Sequence, residues 1–218
     1  MSTLVVGDVH GCAAELGRLL ALARAEGVAR VVCVGDLFTK GPDPAGVWRH
    51  LVAAGATAVL GNHDQRLLDV LDGRRPRDEA GRACAAALDA ADPGWRATVR
   101  GWPLFAEVEG WTVVHAGLHP SGDRSRTTAA MALAMRRFPE DDPEALPWHA
   151  QYEGAAPVVF GHDARGGLVW RARDGRPHVV GLDTGCVYGG ALTGLVLPEA
   201  VLLRVAAERA HAPVGGAG

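Results

Sequence analysis

Three short apolar runs near the start of the chain each end in glycine followed by a polar residue, and this pattern most constrains the fold. The runs at 3–6, 30–34 and 57–60 lead into the sequences GDVHG, GDLFTKGPD and GNHD. The segments between them, 13–26 and 44–54, have the apolar spacing of helices, and the second starts with proline. Strands that alternate with helices in this way predict a parallel sheet covered by helices.

The second half of the chain has the pattern of a β-rich region. Apolar stretches at 104–108 and 111–115, separated by Glu-Gly, predict a hairpin, and residues 127–138 are predicted to be helical. Further strands are expected at 157–160, 168–171, 178–182, 193–197 and 201–205.

The length of 218 residues and the hydrophobic content of 48% fit one domain with a sizeable core. We expect this domain to span 1–209, with a helical insertion at 65–100 over one edge of the site. Residues 210–218, with the sequence AHAPVGGAG, are expected to form a flexible tail.

Composition argues against several classes of partner and location. The formal net charge of −3 gives no reason to expect a nucleic-acid or membrane partner. The four cysteines are far apart and form no CxxC pair, which is typical of a reducing compartment. The first residues lack the features of a signal peptide, and no apolar run reaches the roughly 18 residues of a membrane span. We therefore expect a soluble cytoplasmic protein.

Five predicted strands deliver Asp, His or Asn beside glycine at their carboxyl ends. Each motif alone has an ordinary explanation, such as a turn aspartate, a helix cap or a hydrogen-bonded histidine. Ligands of open α/β sheets bind past the carboxyl ends of the strands, so residues that are distant in sequence can converge there. Recurrence at five strand ends favours one shared site over five separate explanations. The residues concerned are Asp8, His10, Asp36, Asn62, His115 and His162.

These six side chains supply carboxylate oxygen, amide oxygen and imidazole nitrogen, but no thiolate. That donor mixture suits Mn²⁺, Fe or Zn²⁺ and argues against a structural zinc site built on cysteine. Six donors exceed what one tetrahedral ion needs, and they suit two ions that share one carboxylate. Two ions about 3.5–4 Å apart can stabilise both the attacking and the leaving oxygen of a phosphoryl displacement.

In this order, GDVHG, GDLFTKG, GNHD, HAG and GHD resemble the motifs of the calcineurin-like metallophosphoesterases. The resemblance covers about residues 3–205. It implies an α/β fold in which a β-sandwich of two mixed sheets is flanked by helices, so that the β-rich half supplies the second sheet.

The resemblance also implies a set of ligands and a mechanism. One divalent ion would be held by Asp8, His10 and Asp36. The second ion would share Asp36 and take the remaining ligands, Asn62, His115 and His162. The expected ions are two Mn²⁺, with Co, Ni, Fe or Zn as alternatives. A hydroxide shared by the ions would attack phosphorus, with Asp36 as the bridging catalytic ligand. His63, which follows Asn62, would protonate the leaving oxygen or stabilise its charge.

Within that family the chain is most similar to the phosphoprotein-phosphatase branch, and there to bacterial proteins similar to the symmetrical diadenosine tetraphosphate hydrolases. The serine/threonine phosphatases typically carry GDxxDRG and GNHE, whereas this chain carries GDLFTKG and GNHD. Thr39 stands where that branch has the aspartate that orients the catalytic histidine. Either Asp64 or water replaces this aspartate, or His63 is held less strongly.

The resulting prediction is a two-metal hydrolase that converts a phosphorylated small molecule, diadenosine tetraphosphate, to ADP. Three features favour this prediction, namely Thr39 in place of the second aspartate of GDxxDRG, the motif GNHD and the later stretch LDTGCVYGG. Two alternatives stay open. One is a phosphoserine or phosphothreonine protein phosphatase with the same dinuclear mechanism, and the other is a metal-binding module without catalysis.

Substrate-binding residues are predicted less directly. Lys40 is the single lysine among 22 basic residues, and it occupies a position where relatives place a phosphate-binding arginine. Arg66 either faces substrate phosphate or caps a helix, and Asp183 and Tyr188 belong to a turn that borders the site in relatives. One further phosphate-binding arginine is expected between His115 and His162, where the candidates are Arg124, Arg126, Arg136 and Arg137.

Overall fold

The computed structural model describes residues 2–76 and 78–213, and two five-stranded sheets form its centre. The strands are β1 (Thr3–Val6), β2 (Arg30–Cys33), β3 (Thr57–Ala58), β4 (Phe105–Val108), β5 (Trp111–Val114), β6 (Val158–Phe160), β7 (Val169–Arg173), β8 (Arg176–Gly181), β9 (Ala191–Leu197) and β10 (Val201–Ala206). The helices are α1 (Ala13–Ala25), α2 (Pro44–Ala54), α3 (Asn62–Leu71), α4 (Glu79–Ala91), α5 (Trp95–Arg100) and α6 (Ala129–Ala134).

Both sheets are mixed. The first sheet has the order β10-β9-β1-β2-β3, in which β1, β2 and β3 are parallel and β9 runs antiparallel beside β1. The second sheet has the order β4-β5-β6-β8-β7, with a parallel centre and an antiparallel strand at each edge. The α/β prediction of two mixed sheets flanked by helices is therefore confirmed.

The period of two along each strand divides the apolar side chains between two layers. In β1, Val5 faces the second sheet, whereas Leu4 and Val6 face the helices. The layer between the sheets is built from valine, leucine and tryptophan of both sheets, such as Val32, Val113 and Val180. Helices α1 to α5 cover the outer face of the first sheet, and α6 lies against the second. The layers thus run helix, sheet, sheet, helix.

Local sequence sets the ends of several elements. The Asp43 side chain accepts the Gly46 N–H at the start of α2, and Gly55 ends that helix in the left-handed conformation. The predicted hairpin of β4 and β5 is confirmed. Its two turn residues, Glu109 and Gly110, have φ values of 48° and 82°, as a tight turn between twisted strands requires.

Two predicted elements are shorter than expected. The helix predicted at 127–138 is confirmed only over Ala129–Ala134, because Met135 is extended and Arg137 pairs with Pro147. The third strand, predicted at 57–60, has ladder pairs only at Thr57–Ala58. Beyond β3 the chain leaves the sheet, and the Leu60 N–H donates to the Pro103 carbonyl at 2.9 Å.

The segment predicted as a helical insertion contains most of α3 together with α4 and α5, and it packs into the same apolar layer as α1 and α2. At the other end, the backbone N–H groups of His211 and Ala212 donate to the Val187 carbonyl at 2.8 and 3.1 Å. The rest of the predicted tail, 214–218, lies outside the described residues. Among the residues that the structure describes, no helix has the length and apolar character of a membrane span.

Candidate active site

Loops at the carboxyl ends of strands in both sheets bring the six predicted ligands together. Asp8 and His10 follow β1, and Asp36 follows β2. Asn62 begins α3 shortly after β3. His115 and His162 follow β5 and β6 of the second sheet. The site therefore lies across the edge where the two sheets meet.

Three of these residues meet around the amide oxygen of Asn62. Nε2 of His115 lies 2.8 Å from Asn62 Oδ1, and Nδ1 of His162 lies 3.1 Å from the same atom. His115 Nε2 also lies 3.5 Å from an oxygen of Asp36. The four side chains that the resemblance assigned to the second ion are thus neighbours.

The buried surroundings of His115 favour the neutral form of its ring. Burial lowers the pKa of His115 to about 4, so its ring is neutral near pH 7 and carries one N–H. Nδ1 lies 2.8 Å from the Val34 carbonyl, which can only accept, so the N–H is on Nδ1. Nε2 therefore presents a lone pair to the lone pairs of Asn62 Oδ1 and Asp36. Such an arrangement suits a bound cation.

A second group forms from Asp8, His10 and Asp36. One donor atom of each lies within 4.8 Å of the donor atoms of the other two, and all three residues are buried. Nε2 of His10 is 3.5 Å from Asp36 Oδ2, and the His162 N–H donates to both oxygens of Asp8 at 3.1 Å. Asp36 thus contacts both groups, as a bridging ligand would.

The electrostatics of the site also fit metal ions. Burial raises the pKa of Asp36 to about 7. Burial, followed by the charges of Asp183 and Asp36, raises the pKa of Asp8 well above its usual value. Divalent ions would offset the repulsion between these carboxylates.

The loops that carry these ligands adopt backbone conformations that are uncommon for residues with a side chain. His10, Asp36, Lys40 and His162 have φ values of 47°, 55°, 73° and 72°. Such conformations concentrate at functional sites, where the surrounding structure holds them. Gly161, the glycine of GHD, allows the backbone to approach Asp8 closely, because a Cβ at this position would overlap an oxygen of Asp8.

Two hydrogen bonds from its own loop fix the backbone at Asp36. The carboxylate of Asp64 accepts the N–H groups of Asp36 and Leu37 at 2.8 and 3.0 Å. The His63 N–H in turn donates to Asp36 Oδ1 at 2.8 Å. Asp64 is fully buried, and its role as a support was missed by sequence reasoning. Its position in GNHD was the available signal.

The catalytic candidate His63 lies at the edge of the ligand cluster. Its ring packs edge-on against the ring of His10, with centroids 5.2 Å apart. Burial and the nearby Lys40 lower the pKa of His63 to about 3. Both oxygens of Asp64 accept backbone N–H groups, and no hydrogen bond among the described residues joins Asp64 to the His63 ring.

A cleft of about 500 Å³ opens beside the ligands, and it contains all four predicted substrate-binding residues. These are Lys40, Arg66, Asp183 and Tyr188. The Lys40 ammonium donates to the Tyr188 hydroxyl at 3.0 Å and lies 3.3 Å from His10 Nε2. Burial raises the pKa of Asp183 to about 6, and its carboxylate accepts the Gly185 N–H.

Of the four candidate arginines in the second half, Arg136 lines this cleft. Arg124 instead pairs with Glu107 and Thr112, and Arg137 donates to the Ala145 carbonyl. Arg75 and Arg165 also line the cleft and were missed, because no motif marks them. The cleft therefore combines predicted metal ligands with several cations, an arrangement suited to a phosphorylated substrate.

Comparison with known proteins agrees with this arrangement. The calcineurin-like phosphoesterase family matches residues 1–173, and the chain belongs to that family. The family uses a dinuclear divalent metal centre, and the chain is accordingly a metal-dependent phosphoesterase.

Several relatives match over nearly their whole length. The symmetrical bis(5'-nucleosyl)-tetraphosphatase of Bordetella parapertussis is 31% identical over 281 positions, which cover 98% of this chain and 99% of that protein. The enzyme of the same name from Edwardsiella ictaluri is 30% identical, with 89% and 92% covered.

Solved structures show the same fold. A candidate diadenosine tetraphosphatase superposes with a TM-score of 0.78 at 34% identity and covers 94% of this chain and 93% of that one. A serine/threonine phosphatase from Saccharomyces cerevisiae has a TM-score of 0.55 at 14% identity, with 98% and 82% covered, and this likeness concerns the fold alone.

Proposed function

We propose that this protein hydrolyses dinucleoside tetraphosphates symmetrically, so that diadenosine tetraphosphate yields two molecules of ADP. The observation that carries the proposal is the close approach of the oxygen and nitrogen donors of Asp36, Asn62 and His115, which lie beside the cations of the cleft. The relatives named for this activity align with the chain over almost all of their length, which supports the same substrate class. The donor mixture suits Mn²⁺, Fe or Zn²⁺, and of these we propose Mn²⁺.

Asp8, His10 and Asp36 would hold one ion, and Asp36 with Asn62, His115 and His162 the other. When bound, the two ions supply an activated water and offset the charge that develops on the phosphoryl oxygens. The protein itself holds Asp36 in place through Asp64 and the first turn of α3. Lys40, Arg66 and Arg136 would bind and orient the phosphate chain.

His63 would act at the leaving oxygen. It lies beside Asn62 and lines the cleft, so its ring can reach a phosphate bound at the predicted ligands. An N–H donated to the leaving oxygen would stabilise the charge of the departing ADP. No hydrogen bond among the described residues fixes this ring, so the substrate itself would complete its orientation.

The test is to incubate manganese-loaded protein with diadenosine tetraphosphate and to identify the products by chromatography. ADP is expected as the main product. The variant His63→Ala should lose at least about 100-fold of the rate, the range for removal of a positioned hydrogen-bond donor, and Asp36→Asn should also lose activity. His50→Ala, on α2, serves as the control and should retain the rate. Release of AMP and ATP, or no turnover, would overturn the proposal. A phosphoserine peptide tested in parallel separates the protein-phosphatase alternative.

A further inference from the structure

A second cavity adjoins the cleft and has a different chemical character. It measures about 660 Å³, within the range of pockets that bind small organic ligands. Its lining comes from the loop after β2, from α3 and α4, and from Ala212 and Pro213 near the end of the described chain. Lys40, His63, Arg66 and Tyr188 line both the cleft and this cavity.

Most of the lining of the second cavity is apolar, although Thr39 and Asp78 also line it. From α4, residues at positions i, i+3, i+4 and i+7 face it, namely Ala80, Ala83, Cys84 and Ala87. Phe38, from the loop after β2, and Leu67 and Val70 of α3 also line the cavity. Because the alanines of α4 carry no atom beyond Cβ, they leave room beside the helix for a ligand group.

We infer that this cavity binds the nucleoside of one ADP half of the substrate, an inference that rests on the proposed function. A dinucleoside tetraphosphate joins a polyanionic centre to aromatic bases at its two ends. The cations of the cleft match the polyanionic centre of the substrate. The apolar cavity matches an aromatic base, because burial of the faces of the base is favourable. Lys40 and Arg66 stand at the junction, where the phosphates would pass from one cavity into the other.

The position of His63 indicates that the departing ADP half of the substrate enters the apolar cavity. His63 is assigned to the leaving oxygen, and it lines the apolar cavity as well as the cleft. The ADP that departs therefore extends from the reacting phosphate toward the apolar cavity. Tyr188, whose hydroxyl accepts from Lys40, stands at the same junction and can contact both the phosphate and the sugar.

A binding experiment with full-length, manganese-loaded protein tests this inference without requiring hydrolysis. Calorimetry compares ADP with inorganic pyrophosphate, which lacks the nucleoside. We expect ADP to bind at least tenfold more tightly than pyrophosphate to the unaltered protein. In Ala87→Phe, where the new ring fills the cavity, ADP affinity should fall at least tenfold while the pyrophosphate affinity stays within twofold.

Two further variants make the result decisive. Ala86→Phe changes the neighbouring residue on α4, which is exposed and outside the cavity lining, and should leave ADP affinity within twofold. Ala83→Phe enters the cavity from another exposed position and should repeat the effect if Ala87→Phe fails to fold.

Equal affinity for ADP and pyrophosphate, or equal effects of Ala86→Phe and the cavity variants, would overturn the subsite. This outcome is separate from the proposed reaction. Diadenosine tetraphosphate turnover with no effect of the cavity variants would refute the subsite alone. ADP binding that depends on the cavity, without any ADP release from the tetraphosphate, would refute the reaction alone.

Discussion

Asp36 combines a strained backbone conformation with the predicted role of bridging ligand. Its φ of 55° places a residue with a side chain in the left-handed region, at a cost of about 1–3 kcal/mol. Two hydrogen bonds from its loop to Asp64 and one from the His63 N–H to its own carboxylate hold it there. The strained conformation is therefore maintained by residues of α3, the helix that also carries Asn62.

Replacement of Asp64 by asparagine tests this support. Asparagine keeps one acceptor oxygen, but its NH₂ group would face a backbone N–H, so one buried donor would lose its partner. We expect the free energy of unfolding, measured in urea, to fall by about 1–3 kcal/mol. Asp174→Asn is the control, because Asp174 is exposed in a turn with φ 50°, which asparagine tolerates. Equal stability of the two variants would contradict this assignment.

Lys40 allows a second prediction at the scale of one residue. Loss of its charge in Lys40→Met should raise KM or lower kcat by about 10–100-fold, the value of one or two hydrogen bonds to a charged group. The metal content should be unchanged, because Lys40 is a donor and not a ligand. Lys40→Arg keeps the charge and should recover part of the loss. Unchanged kinetics in Lys40→Met would rule out a role in substrate binding.

At the scale of elements, α5 connects the helical layer to the loop that carries Lys40. Trp95 at its start is fully buried, and its ring lies 6.1 Å from that of Phe38. Its indole N–H donates to Asp89 of α4 at 2.8 Å. One side chain thus joins α4, α5 and the segment after β2.

Truncation in Trp95→Ala should therefore destabilise the protein by about 3–5 kcal/mol, the usual cost of removing a large buried aromatic side chain. The measurement is equilibrium unfolding in urea. Trp170→Ala on the edge strand β7 is the matched control, because that ring is 43% exposed, and we expect it to cost less than about 1 kcal/mol. Similar losses in the two variants would mean that Trp95 does not join these elements.

Elements whose boundaries are fixed locally could be predicted from the sequence. The strands before GDVHG and GDLFTKGPD end where glycine allows close approach, and α2 has its aspartate cap and proline next to each other in sequence. Helix α6 could not be bounded in this way. Its end is set by the pairing of Arg137 with Pro147, a contact that no local pattern shows.

The same distinction applies to the site. Residues beside glycine at strand ends were identifiable because chemistry and position coincide there. The sequence did not distinguish Arg136 from the other three candidate arginines, because only the fold of the chain places Arg136 at the cleft. Arg75 and Arg165 reach the cleft from segments without a motif. Long-range packing decides such placements.

For the molecule as a whole, the site connects the two sheets. Loops of the first sheet supply Asp8, His10, Asp36 and Asn62, while the second supplies His115 and His162. Ions bound between them would oppose separation of the sandwich, because unfolding would disperse the ligands. Metal binding should therefore appear as stability of the entire fold.

Addition of Mn²⁺ at about 100 times its dissociation constant to metal-free protein should stabilise it by about 2.7 kcal/mol for each independent site. For a chain of this length that corresponds to a rise in Tm of about 5–10 °C. Scanning calorimetry gives the shift, and Asp36→Asn is the comparison, since it alters the ligand that we expect both ions to share. An equal shift in that variant would argue against binding at this site.

The place of β9 has a consequence for the way the chain is made. β9 lies between β1 and β10, so the first strand of the described fold pairs with the ninth, which is synthesised later. All six predicted ligands precede residue 191, yet until β9 is complete one edge of β1 keeps unpaired backbone groups. A growing chain that contains all six predicted ligands but lacks β9 thus holds them beside an open sheet edge.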